Sequence, residues 1–244
     1  FRSYRDAIEG FESMSSYGGL KVARWTITGW DIQVVDGGGS VGSPAIAIDS
    51  KGDPHISYPA YYGVQYAHWV DGAWEIQTVT ETREDIWGTL IVLDALDRPH
   101  ISYGGREEMY YAEWTEDGWS TQPVDDSPHS AMSLALDATG SPHLSYYDYD
   151  NDLLKHAYWT EKGWEIQVVD SGCGEGVSSL TPDSSGGWNI VYNSIQGPLQ
   201  HAHLNFGESQ WVTDTIGSGF NPVLSLDTSD QPHMSYLERN TGDG

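Results

Sequence analysis

Histidine, aspartate and aromatic residues recur at fixed spacing in this chain, and such residues can bind metal ions, transfer protons or stack on sugars. A Pro-His pair followed by an apolar residue and Ser-Tyr begins at Pro54, Pro99, Pro142 and Pro232. Repeated imidazoles invite metal binding or acid–base chemistry. One chemical centre does not need a histidine in every copy, however. We therefore favour a structural role, in which each imidazole bonds a neighbouring backbone group or a turn aspartate.

Two other motifs offer metal ligands. The run Asp148-Tyr149-Asp150-Asn151-Asp152 alternates carboxylates as the first part of a calcium loop does, which predicts a Ca²⁺ site on Asp148, Asp150 and Asp152. It is not an EF-hand, because the glycine of the sixth position is missing and Trp159 stands at the twelfth. The run His201-Ala202-His203 projects two imidazoles to one side of a strand, and its third ligand is left open.

Acidic and aromatic residues are concentrated in the segments that differ between the copies. Those chosen as candidate ligand-binding residues are Tyr61, Tyr62, Trp87, Tyr147, Tyr149, Glu107 and Asp126. Aromatic rings can stack on sugar faces while carboxylates accept hydroxyl hydrogen bonds. The alternative is a solvated acidic rim. A glycosidase would need a pair of carboxylates, but nothing pairs any two of Asp85, Glu107, Asp126 and Glu175, so no catalytic residue is assigned.

These residues lie on a repeat of about 45 residues. One alanine marks it at a constant place: Ala23, Ala67, Ala112, Ala157 and Ala202. Each copy contains four short runs rich in Ile, Val, Tyr and Trp, separated by turn residues, which predicts four strands called A to D here. The aspartate that ends strand A is expected to close the A-to-B turn, and the repeated tryptophans are expected to pack one copy against the next.

Four antiparallel strands repeated at this period are typical of a β-propeller, in which each copy is one blade. Residues 20–244 hold five copies, which predicts an all-β, five-bladed propeller domain preceded by an N-terminal extension, residues 1–19. Four of these copies are complete, and the fifth is divided between the two ends of the repeat region, with strands C and D at its start and strands A and B at its end. We therefore expect the ring to close by pairing the N-terminal C and D strands with the C-terminal A and B strands.

Charge and composition exclude several functional classes. The 244 residues carry 36 Asp and Glu against 11 Lys and Arg, a formal net charge of -25, which would repel nucleic-acid phosphates. No apolar run reaches the roughly 18 residues that a membrane-spanning helix needs, so membrane insertion is not expected. Cys173 is the single cysteine, which excludes an intramolecular disulfide.

The unit Asp-X-X-Gly-X-Pro-His-Ile-Ser-Tyr, followed by Ala-X-Trp and Gly-Trp-X-Ile-Gln, resembles the tandem propeller repeats of secreted bacterial and archaeal proteins. At the level of architecture the chain also resembles the five-bladed lectins of the tachylectin type. These resemblances imply an extracellular or cell-surface location and one sugar site per blade. The resulting hypothesis is a multivalent, non-catalytic module that binds a glycan or polysaccharide surface. The alternatives are a glycoside hydrolase or polysaccharide lyase with one site, and a protein-interaction or surface-structural propeller.

Overall fold

The structure, a computed structural model, describes residues 19–38, 42–82, 86–104, 108–126, 131–171, 177–193 and 198–238. Within these ranges all regular secondary structure is β, and no helix there is long and apolar enough to cross a membrane. The predicted all-β propeller fold is confirmed.

Twenty described strands form two hairpins and, between them, four antiparallel four-stranded sheets, which we call the first to fourth blades. The first hairpin and the first two blades are β1 (Leu20–Thr26), β2 (Gly29–Asp36); β3 (Ala45–Ile48), β4 (Pro54–Ala60), β5 (Gly63–Val70), β6 (Ala73–Glu81); β7 (Gly88–Leu93), β8 (Pro99–Gly104), β9 (Met109–Thr115), β10 (Gly118–Asp125). The remaining strands are β11 (Ala131–Leu136), β12 (Pro142–Asp148), β13 (Leu153–Thr160), β14 (Gly163–Ser171); β15 (Ser178–Pro182), β16 (Trp188–Asn193), β17 (Leu199–Leu204), β18 (Val212–Gly217); and the last hairpin, β19 (Gly219–Leu226), β20 (Pro232–Glu238).

Short side-chain interactions close the turns within each blade. In the third blade, Asp137 ends strand A and its Oδ1 accepts hydrogen bonds from the backbone N–H of Thr139 and of Ser141, both at 2.8 Å. The Thr160 hydroxyl donates to the carbonyl of Gly163 at 2.9 Å, and Gly163 has the positive φ of 108° that glycine tolerates. The structural role predicted for the repeated aspartate is confirmed.

The hydrophobic core lies between blades. Strand A of each complete blade contacts strand A of the next, and β15 contacts β19 in the same way. Four clusters of buried side chains alternate with the sheets; the one between the first and second blades joins Val64 and Tyr66 to Ile101 and Tyr103. Buried side chains therefore fill the space between neighbouring blades. This packing fixes the relative positions of the loops that the blades carry.

The strand D tryptophan packs on the preceding blade, as predicted, whereas the strand C tryptophan packs edge to face on the strand D tryptophan of its own blade. The ring centroid of Trp119 lies 5.1 Å from that of Tyr66, and Trp211 lies 5.2 Å from His156. The Trp119 indole N–H also donates to Gln77 Oε1 at 3.1 Å. Trp119 and Trp211 therefore contribute both apolar area and a directional hydrogen bond to their blade junctions.

The described residues do not show a closed ring. Among the described residues, β1 pairs with β2 and β20 pairs with β19, and the closing B-to-C pairing is not formed. Trp25 is 67% exposed and Tyr236 is 43% exposed, whereas the equivalent Trp159 and Tyr146 are 36% and 0% exposed. Closure by pairing β20 with β1 remains a prediction.

We expect this pairing to be trapped by a disulfide. Ser57 of strand B faces Tyr66 of strand C in the first blade, and the equivalent residues of a closing blade are Ser235 and Val22. In a Cys173→Ser background, Val22→Cys with Ser235→Cys should oxidise within one chain, because opposed Cα atoms lie about 4.5–5.5 Å apart. Peptide mapping of the oxidised monomer measures the yield of this intrachain disulfide.

The control for this disulfide is a displaced pair, Arg24→Cys with Ser235→Cys, which should form much less cross-link because it is two residues out of register. Cross-links only between chains, or equal yields from the two pairs, would contradict closure in this register.

Candidate functional site

Loops from several blades meet at one end of the propeller. Because strand direction alternates, the connections from strand D to the next strand A share that end with the turns from B to C. All seven candidate ligand-binding residues belong to these connections or to the strand ends beside them. The structure describes all of them except Glu107, which lies outside the described residues, as do Asp85 and Glu175.

Three of the candidates form an aromatic cluster: Trp87, Tyr147 and Tyr149. The centroid of Tyr149 lies 5.1 Å from that of Tyr147 and 6.5 Å from that of Trp87, and both pairs meet edge to face. Tyr147 is buried, Tyr149 is half-buried and the Trp87 side chain is 42% exposed. The Trp87 ring of the cluster is therefore accessible to solvent, and the Tyr147 ring that supports Tyr149 is buried.

The backbone around Trp87 is fixed from two sides. Its N–H donates to the carbonyl of Gly104 at 3.2 Å, within the second blade, and its carbonyl accepts from the N–H of Ser43 at 3.2 Å, before the first complete blade. Ser43 also forms a parallel bridge with Gly88. The indole therefore projects from a connection held by both neighbouring blades, and it reaches the third blade at Tyr149.

Tyr61 and Tyr62 form a second aromatic platform. They are the two-residue turn between β4 and β5, their ring centroids lie 4.6 Å apart, and they are 56% and 64% exposed. The following Gly63 has a φ of 134°, and a Cβ there would lie 2.0 Å from the carbonyl oxygen of Thr80. Glycine is required at that position, so it fixes how the two rings leave the blade.

A lysine not singled out in the sequence anchors the loop that carries Tyr149. The Lys155 Nζ lies 2.6 Å from Asp148 Oδ2 and 2.9 Å from Asp125 Oδ2. Asp148 is fully buried, and it also accepts from the backbone N–H groups of Asp150 and Asn151 and from the Asn151 side chain. Lys155 therefore ties this loop to strand D of the second blade.

The pKa values of this network reflect strong pairing. Burial opposes ionisation of Asp148, but the hydrogen bonds from Lys155 and Asn151 outweigh it and lower the pKa of the carboxyl group. Burial likewise opposes the charge of Lys155, but its two carboxylate partners raise the pKa of the ammonium. Asp148 and Lys155 are therefore both charged at neutral pH and form an ion pair beneath the loop.

The predicted Ca²⁺ residues have protein partners. Asp148 is bonded to Lys155, and Asp152 Oδ1 accepts from the Tyr147 hydroxyl. Asp150 is exposed. The calcium site remains a prediction, and a cation at Asp148 would have to displace Lys155.

A repeated contact between blades was missed in the sequence. The hydroxyl of a tyrosine near the end of strand B donates to an aspartate at or near the end of strand D of the preceding sheet: Tyr58 to Asp36 at 2.8 Å, Tyr146 to Asp125 at 2.9 Å and Tyr192 to Asp170 at 2.6 Å. The repeated Val-Asp at the end of strand D was the available signal. Asp125 serves both this contact and Lys155, which links the candidate site to the frame of the propeller.

The repeated histidines have the structural role we favoured, with a partner that the sequence did not identify. His55 Nδ1 lies 2.5 Å from the Tyr66 hydroxyl, and His143 Nδ1 lies 3.0 Å from His156 Nε2. The other ring nitrogen faces the turn aspartate at longer range, 3.7 Å for His55 and Asp49. Strand C, rather than the turn alone, therefore supplies the closer contact.

The lowered pKa values of His143 and His156 predict that the fold loses stability in acid. Burial lowers the pKa of His143 to about 4 and that of His156 to about 3. Unfolding restores a pKa near 6.5, so the unfolded chain binds more protons between pH 6.5 and about 4, and stability is lost as the pH falls through that window. We expect each imidazole to cost about 2–3 kcal/mol of unfolding free energy by pH 4.5. Urea unfolding between pH 7.5 and 4.5 measures it.

The variant His156→Tyr carries the residue found at this place in the first two blades. It should weaken the pH dependence of the unfolding free energy. His233→Gln is the control, because His233 is largely exposed and should leave the dependence unchanged. An identical pH dependence for the wild type and His156→Tyr would contradict the assignment.

Comparisons with known proteins support the architecture. No family model matches the chain, and no curated protein matches it. A mutant of the Aleuria aurantia lectin in complex with Fucalpha1-6GlcNAc is 10% identical, covers 94% of this chain and 91% of its own, and has a TM-score of 0.59. The SapL1 lectin in complex with alpha methyl fucoside is 14% identical, with coverage of 85% and 77% and a TM-score of 0.56.

A thermostable family-43 glycoside hydrolase is 9% identical, with coverage of 91% and 85% and a TM-score of 0.50. At these identities the likeness is one of fold, and it shows a β-propeller.

Proposed function

We propose that this protein is a non-catalytic, multivalent β-propeller lectin that binds carbohydrate at the loop end of its blades. The observation that carries the proposal is the aromatic cluster, in which Trp87, Tyr147 and Tyr149 converge from segments about 60 residues apart in the chain. An exposed indole beside a half-buried phenol offers the flat apolar surface that a pyranose ring needs. The rigid blades present it without an ordering cost on binding.

Acidic groups around the cluster suit a ligand rich in hydroxyl groups. Asp152 accepts from Tyr147 at the base of the cluster, and Asp126 is exposed at the end of the neighbouring strand D. Ionised carboxylates accept hydrogen bonds from sugar hydroxyls. The excess of negative charge favours neutral or amino sugars over sulfated or phosphorylated ones.

Two platforms on one end support multivalency. The Tyr61–Tyr62 pair is exposed on the first blade, apart from the aromatic cluster in sequence and in its ring contacts. Two weak sites on one rigid disc gain avidity on a surface that repeats its ligand. A glycan or polysaccharide surface outside the cell is therefore the partner and the location that we propose.

The fucosides in the two lectin structures are the first ligands to test, and the hydrolase neighbour makes cleavage the competing outcome. A glycan array should be read with Ca²⁺ and again with chelator, followed by calorimetry on the best ligand. Saturable binding at more than one site per chain, with the glycan recovered intact, is expected. A blank array, or release of shorter sugars, would overturn the lectin proposal; the chelator reading reports separately on the cation.

A further inference from the structure

A cluster of histidine and carboxylate side chains lies on the fourth blade, on strands rather than loops. His201 and His203 project from β17, and Asp214 on β18 is the register partner of His201. Each residue offers one ligand atom, and these three atoms lie within 4.8 Å of one another. The two imidazole rings are nearly parallel, with centroids 5.8 Å apart. Asp214 is exposed and the histidines are half-buried, so an ion from solvent can reach the group.

The cluster is a departure from the repeat. Aligning the blades on the strand C alanine gives the residues equivalent to His201 as Tyr66, Tyr111 and His156. The register partners of those residues, equivalent to Asp214, are Gln77, Gln122 and Gln167. Among the complete blades, the fourth alone replaces this glutamine by a carboxylate and places histidines on both sides of the alanine. At these three positions it therefore holds three metal-ligating groups, whereas each of the other complete blades holds one, namely His68, Glu113 or His156.

A fourth substitution orients one of the imidazoles. Asn189 replaces the repeated strand B histidine, and its Oδ1 accepts a hydrogen bond from His201 Nε2 at 2.9 Å. An acceptor on one ring nitrogen is the usual outer partner of a metal-bound histidine, because it fixes the tautomer and leaves the other nitrogen with its lone pair.

We propose that His201, His203 and Asp214 bind a divalent transition-metal ion, with Zn²⁺ as the preferred ion. Two imidazoles and a carboxylate are a common zinc ligand set, and a three-ligand site leaves a coordination position for water or an external ligand. Tetrahedral Zn²⁺ places its ligand atoms about 3.4 Å apart. The ligand atoms therefore need to approach one another by at most about 1.4 Å, which rotation of the exposed Asp214 and the half-buried His203 allows. The site is independent of the carbohydrate proposal, because it uses none of the loop residues.

The competing explanation for Asp214 is structural. The equivalent Gln77 and Gln167 accept hydrogen bonds from Trp119 and Trp211 of the next blade, at 3.1 and 3.3 Å. A carboxylate could accept such a bond as well. Zinc binding separates the two explanations, since a merely structural acceptor binds no ion.

Equilibrium dialysis of the full chain, free of any affinity tag, against ZnCl₂ tests the proposal. One Zn²⁺ per chain is expected, and Co²⁺ should give a d–d absorption band that Zn²⁺ abolishes. His203→Gln and Asp214→Gln should each weaken binding by at least about tenfold. Asp214→Gln restores the residue of the other blades, so it should fold.

The matched control is His68→Gln. His68 is equivalent to His203 in the first blade and lies 3.8 Å from Glu75, but among the described residues it belongs to no group of three ligand atoms within 4.8 Å of one another. This variant should leave the Zn²⁺ affinity unchanged. Substoichiometric zinc in the wild type, or equal affinities for wild type and Asp214→Gln, would overturn the site, and so would an equal loss in His68→Gln.

Discussion

Replacing Tyr149 with alanine should lower the affinity for the best glycan by at least about tenfold, equivalent to about 1.4 kcal/mol. Tyr149 is the central ring of the aromatic cluster, because it contacts both Trp87 and Tyr147. Its removal takes away one stacking surface and the lateral support of the exposed indole. Central aromatic residues of this kind carry a large share of binding energy in recognition sites. Calorimetry with the ligand found on the array measures the loss.

Two further variants control for the loss of the ring and of the hydroxyl. Tyr149→Phe keeps the ring and should bind within about threefold of the wild type, because stacking depends on the ring face. Trp159→Ala removes an exposed aromatic side chain from the same blade, beside the turn between strands C and D at the opposite end. It should leave the affinity unchanged. Equal losses in Tyr149→Ala and Trp159→Ala would show that the aromatic cluster is not the site.

Most of the strand arrangement could be predicted from the sequence, because every copy of the repeat shows the same pattern of strands and turns. The third blade contains four antiparallel strands in the order A to D that the repeat predicts. Turn chemistry was equally local, since Asp137 and Gly163 act within a few residues of themselves. Ring closure is different: it pairs strands about 200 residues apart, so periodicity predicts the partners but not the contact.

The candidate site could be predicted in composition but not in geometry. Seven residues were chosen by type and loop position, and three of them meet in the aromatic cluster, while Tyr61 and Tyr62 pair apart from it. Which rings meet depends on how one blade is rotated against the next, and no local pattern records that. The third ligand beside His201 and His203 was hidden for a similar reason: Asp214 lies across a strand pair whose register shifts at Leu199.

Lys155 was overlooked because a single lysine in a strand reads as a solvated side chain. Only the fold shows it between Asp125 and Asp148, with 13% of its side chain exposed. The ion pairs of Lys155 therefore connect the repeated strands of the propeller to the variable loop. The loop that carries Tyr149 thus depends on a residue of strand C rather than on its own sequence.

Replacing Lys155 with methionine should lower the free energy of unfolding by about 3 kcal/mol at pH 7, because it leaves a fully buried carboxylate without its cation. Asp148 and Asp125 would then repel one another, and the pKa of Asp148 should rise. Urea unfolding measures the loss of stability. Lys162→Met is the matched control, since Lys162 is an exposed turn residue of the same blade, and it should change stability by less than about 0.5 kcal/mol.

The double variant Lys155→Met with Asp148→Asn separates charge from packing. Removing the stranded carboxylate should recover part of the lost stability, because a neutral amide costs less to bury than an unpaired charge. The introduced amide can still accept from the N–H of Asn151 through its carbonyl oxygen, which keeps one loop contact. Glycan affinity should fall in Lys155→Met and recover in the double variant, since the loop holds Tyr149. Stability lost equally in Lys155→Met and Lys162→Met would contradict this network, as would a double variant less stable than Lys155→Met.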